Sequence, residues 1–65
     1  MNSIKSYYYF TGETIEGDYL DYSFSEPMTE EAARKWAEEE LINCGGGYLD
    51  IWRDEDDELT FDVKV

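Results

Sequence analysis

The sequence predicts an α+β fold: a two-layer β-β-α-β-β chain with a four-stranded antiparallel sheet and one helix on one face. Two observations predict it. Only Thr29 to Asn43 has helical periodicity over any length, and the segments flanking it alternate apolar and polar residues like paired strands. The chain has 65 residues and forms one domain, 1–65, small enough that its core must be compact.

The first strand runs from Ser3 to Thr11, with Ile4, Tyr8 and Phe10 on one face and Lys5, Tyr7 and Tyr9 on the other. Gly12 to Asp18 carries two glycines and reads as a hairpin loop. Tyr19 to Ser25 returns, with Leu20, Tyr22 and Phe24 alternating with Tyr19, Asp21 and Ser23. Glu26-Pro27 breaks the chain before the helix.

Thr29 caps the helix, and Glu30 and Glu31 sit where the dipole favours negative charge. Ala33, Trp36, Ala37, Leu41 and Cys44 share one stripe. Glu30/Arg34, Glu31/Lys35, Arg34/Glu38 and Lys35/Glu39 are opposite charges four residues apart, spaced to support the helix. Gly45 to Gly47 ends it. Tyr48 to Arg53 is the third strand, Asp54 to Asp57 a polar turn and Glu58 to Val65 the fourth strand.

Leu59, Phe61, Val63 and Val65 share one face of that last strand. The expected core is Ile4, Tyr8, Phe10, Leu20, Tyr22, Phe24, Ala33, Trp36, Ala37, Leu41, Leu49, Ile51, Leu59, Phe61 and Val63. Strand orders 2-1-3-4 and 1-2-4-3 are both fully antiparallel and both open. In either, Asp54, Glu55, Asp56, Asp57 and Glu58 gather at the end of the helix N-terminus, near Glu26, Glu30 and Glu31. Glu13, Glu16 and Asp18 gather at the other end, near Glu38 to Glu40. Tyr7, Tyr9, Tyr19, Asp21, Tyr48, Asp50, Trp52 and Asp62 fall on the uncovered sheet face.

Charge is the dominant global feature. Seventeen acids against five bases give a net charge of −12, which argues against direct binding to nucleic acid or an anionic membrane. Aromatic content of 17% and clean alternation argue for a folded acidic domain with a basic partner. Cys44 is the only cysteine, so no disulfide is expected and a cytoplasmic setting is. Met1 to Lys5 lacks the apolar run of a secretory leader.

No histidine is present, which removes His-based acid–base and triad chemistry. Cys44 reads as a structural thiol on the apolar stripe. Glu40 falls beside Trp36 and reads as a boundary residue reaching solvent. Asp54, Asp56 and Glu58 alternate like a calcium loop but lack its turn glycine and late glutamate. No enzyme activity, metal or cofactor is expected. The residues expected to meet a partner are Tyr19, Asp21, Asp50, Trp52, Glu30, Glu31 and the turn from Asp54 through Glu58. The aromatic face reads equally as an interface or as good strand formers on an open sheet.

Duplex DNA carries one charge per about 1.7 Å of axis, and a basic groove built for it accepts a comparable array of carboxylates. In size, charge and α+β build the whole chain resembles the small phage-encoded anti-CRISPR proteins and other DNA mimics, a likeness of profile with no shared motif. The resemblance implies an inhibitor in the host bacterial cytoplasm. It would bind the basic channel of a CRISPR surveillance complex that reads the PAM duplex, and so block target DNA. The alternative is a non-mimic interaction module, an inhibitor or adaptor using the aromatic sheet face. A monomer is expected, with a self-dimer through that face as the other possibility.

Overall fold

The computed structural model describes residues 4–65. In chain order the elements are β1 (Lys5–Ser6), β2 (Tyr8–Thr14), β3 (Tyr19–Ser23), β4 (Met28–Thr29), α1 (Glu30–Asn43), β5 (Gly47–Arg53) and β6 (Glu58–Lys64). Four strands form one sheet in the order β3-β2-β5-β6, all antiparallel. Of the two arrangements open to the sequence, this is 2-1-3-4. The helix covers one face, as an α+β two-layer fold requires.

The predicted first strand divides. β1 leaves the main sheet and pairs with β4, Lys5 opposite Thr29 and Ser6 opposite Met28. Ser3, its predicted start, lies outside the described residues. Ile4 is therefore not a core residue: it precedes the ribbon and is 79% exposed. Met28 packs against the core from the ribbon's other strand.

The helix begins and ends as its caps dictate. The Ala32 N–H donates to Thr29 Oγ1 at 3.1 Å, satisfying one of the orphan donors of the first turn. At the other end, the Gly46 N–H donates to the Leu41 carbonyl (2.8 Å) and the Gly45 N–H to that of Ile42 (3.1 Å). This double closure needs a left-handed residue after the cap, and Gly45 supplies it at φ +85°.

Ala33, Ala37 and Leu41 are buried against the sheet, where Phe10, Leu49 and Ile51 are fully buried. Each large side chain taken from water contributes about 1.5–3 kcal/mol. The two alanines let the helix lie close. Trp36 fills the seam beside them, its ring 5.0 Å from Phe10 and 4.9 Å from both Tyr22 and Phe24.

Three further expectations fail because of partners distant in sequence. Gly12 is not in the hairpin loop. It sits buried inside β2, opposite Leu20 and Leu49, and the turn comes after Thr14. A Cβ there would strike the Tyr48 carbonyl oxygen and lie 2.9 Å from Leu49 Cα, so only glycine lets β2 and β5 approach.

Leu59 is not a core residue either. A register shift between Ile51 and Trp52 pairs Ile51 with Phe61 but Trp52 with Leu59, leaving Thr60 unopposed. This bulge breaks the alternation of β6 and turns Leu59, 49% exposed, onto the open face.

The four helix ion pairs do not close either. Among the described residues the only ion pairs involve Arg53. The Arg34 guanidinium lies instead over the Phe61 ring, 4.5 Å from its centroid.

Candidate functional site

The open sheet face is built by register. Side chains directly opposite across an antiparallel ladder share a face, so the pairings order this face into three rows. One is Ser23–Tyr9–Trp52–Leu59, the next Asp21–Thr11–Asp50–Asp62, and the third Tyr19–Glu13–Tyr48–Lys64. Of the predicted contact residues, Asp21 and Asp50 thus fall in one row, with Trp52 and Tyr19 in the rows on either side.

Asp62 joins the same row as Asp50 and stands directly opposite it. Alternation alone puts Asp62 on this face. Its pairing with Asp50 needs the register that the bulge sets, which the sequence does not reveal. Neighbouring strands lie about 4.8 Å apart, so Asp50 and Asp62 are close and Asp21 stands two strands away. Like charges directly opposite destabilise a sheet. Among the described residues no lysine or arginine forms an ion pair with any of the three.

The aromatic row is fixed in place. Tyr9 and Trp52 stack with ring centroids 6.0 Å apart and planes 6° from parallel. The Trp52 indole N–H donates to Thr11 Oγ1 at 2.9 Å. The Tyr9 hydroxyl donates to the Asp57 carboxylate, and this bond, more than desolvation, pushes its pKa up to about 12. Tyr9 and Thr11, neither among the predicted contact residues, therefore brace the row around Trp52.

The acidic turn is folded around its own cation. Arg53 grips Asp56 with two hydrogen bonds, Nε to Oδ1 at 3.1 Å and Nη2 to Oδ2 at 2.8 Å, and its Nη2 lies 3.6 Å from Glu58. The guanidinium bond holds the Asp56 carboxyl below its ordinary range and Arg53 above its own. Asp57 takes a left-handed φ of 56° to close the turn and accepts from Tyr9. Asp54 anchors the turn through its backbone N–H, which donates to the Tyr7 carbonyl at 2.8 Å. The carboxylates of Asp54 and Glu55 are exposed and enter no ion pair among the described residues.

Glu30 and Glu31 are exposed in the first helical turn. β1 links the two acidic groups to one end of the molecule: it pairs with β4 at the helix start and leads through Tyr7 to the turn. The helix nevertheless lies on the covered side of the sheet, so Glu30 and Glu31 do not join the Asp21–Asp50–Asp62 row. Glu40 sits half-buried at the seam and accepts from the Tyr22 hydroxyl at 2.8 Å.

Among the described residues, no group of three His, Cys, Asp or Glu side chains is placed to hold a metal ion. No helix there is long and apolar enough to cross a membrane. No family model, curated protein or solved structure matches the chain.

Proposed function

We propose that this protein is an inhibitor that occupies the basic nucleic-acid channel of another protein, its carboxylates standing where phosphates would stand. One observation carries the reading. Asp50 and Asp62 face each other across β5 and β6 with no cation between them among the described residues. Such a pairing costs the isolated fold stability, and a partner's lysines and arginines would relieve that cost on binding. Asp21 extends the row, and Asp54 and Glu55 add free charge beyond the aromatic row. The likeness in size, charge and build to small acidic anti-CRISPR proteins makes the PAM-reading channel of a CRISPR surveillance complex the first partner to test.

The test is competition. The protein should displace PAM-containing duplex DNA from the surveillance complex, with an inhibition constant that weakens steeply as salt rises. The Asp50→Asn, Asp62→Asn double variant should stay folded and lose most of the displacement. Affinity that is flat with salt and indifferent to the double variant would remove the mimic reading.

A second reading has its own observation. The stacked Tyr9–Trp52 pair continues into the exposed Leu59, an amphipathic strip suited to a non-mimic protein contact. Binding that survives high salt but fails in Leu59→Ser would favour it.

A further inference from the structure

We infer that the open sheet face recognises arginine side chains in preference to lysine, so that the partner meets it with an arginine-bearing segment. The inference rests on the proposed reading only in requiring a basic protein partner.

The arrangement of the rows suits a guanidinium. The carboxylate row lies between two aromatic rows, Tyr9 and Trp52 on one side and Tyr19 and Tyr48 on the other. Alternate residues on a strand are about 7 Å apart. A planar guanidinium can therefore hydrogen-bond an aspartate edge-on while its face lies over the neighbouring ring. An ammonium is a compact, strongly hydrated point charge that matches neither the planar fork nor the ring face. Trp52 is held by Thr11, so its ring needs little ordering on binding.

The protein's own cations behave in the same way. Arg53 takes Asp56 by its fork, and the Arg34 guanidinium sits over the Phe61 ring. Among the described residues no lysine makes an ion pair, including Lys64, which stands opposite Tyr48 in the row next to Asp62.

Charge selects the occupant. A second copy would set one net charge of −12 against another, and both arginines of this chain are already engaged. The complement is a separate, arginine-bearing surface.

The test uses two blocked peptides of equal charge and spacing, Gly-Arg-Gly-Arg-Gly and Gly-Lys-Gly-Lys-Gly, titrated into the full-length isotope-labelled protein. The arginine peptide should bind about fivefold to tenfold tighter. Its shifts should centre on the Trp52 indole and the amides of Tyr19, Tyr48, Asp50 and Asp62. In the folded Asp50→Asn, Asp62→Asn variant the preference should vanish. Equal affinities, shifts confined to Asp54 and Glu55, or no binding of either peptide would overturn the inference. The DNA competition is read separately. Displacement without arginine preference removes this inference and leaves mimicry standing, whereas arginine preference without displacement does the reverse.

Discussion

The Tyr22 hydroxyl donates to Glu40 Oε2 at 2.8 Å, tying the edge strand β3 to the last turns of the helix. The bond settles a half-buried carboxylate beside Trp36, where the helix has no basic residue in its last turn to hold it. Tyr22→Phe keeps the ring against Trp36 but removes the donor. Chemical denaturation should show a loss of about 1 kcal/mol. Glu40→Gln, which can still accept, should lose less. Equal losses would show that the bond needs the charge of Glu40 and not merely an acceptor there.

Alkaline pH should weaken the fold. The hydrogen bond to Glu40 raises Tyr22 from 10.0 to about 12, and that to Asp57 does the same for Tyr9. Both phenols are thus more acidic in the unfolded chain. Their contribution is complete below about pH 10 and is lost as pH rises through about 12. A spectrophotometric tyrosinate titration should show one fewer late tyrosine in Tyr22→Phe than in wild type. The fall in denaturation midpoint over this window should be shallower in Tyr22→Phe.

Asp62→Asn should stabilise the protein while weakening its association with a basic partner. Removing a like charge opposite Asp50 should be worth roughly 0.5 kcal/mol in denaturant melts at low salt, shrinking as salt is added. A destabilised variant would mean that the Asp50–Asp62 register carries no repulsion.

Gly12→Ala should be among the most damaging single changes. The added methyl meets backbone, not a side chain that can swing aside, so β2 and β5 must separate. A loss of about 2–3 kcal/mol is expected from overpacking at a buried strand pair. An alanine variant as stable as wild type would mean that the two strands do not approach as described.

Much of this architecture was legible because it depends on local pattern. The caps at Thr29 and Gly45, the stripe of Ala33, Ala37 and Leu41, and the alternation around Phe10, Leu20 and Leu49 each need only a few neighbouring residues. The failures all depend on distant partners. Gly12 looks like a loop glycine until Tyr48 is set beside it. Leu59 keeps perfect alternation in sequence, and only the bulge opposite Ile51 and Trp52 moves it outward. Arg34 has acidic neighbours at helical spacing, yet the Phe61 ring takes it. On the candidate site, the aromatic and acidic character of the open face could be read in advance. The opposition of Asp50 and Asp62 could not, because it depends on the bulge between their strands, nor could the bracing of Trp52 by Tyr9 and Thr11, which joins strands whose adjacency the sequence left open.

The β2–β5 seam sets how the chain reaches its structure. β2 with β3, and β5 with β6, are joined by short turns, and such hairpins close within microseconds. The seam instead brings Tyr8 to Arg53 and Thr14 to Gly47, across the whole length of the helix. Loop closure must be spent before any of those contacts forms, so docking of the two hairpins is the slow event in folding. Changes inside either turn, formed before the hairpins dock, should then act mainly on how fast the protein assembles. A change at the seam, whose contacts complete only as the hairpins dock, should also hasten its coming apart.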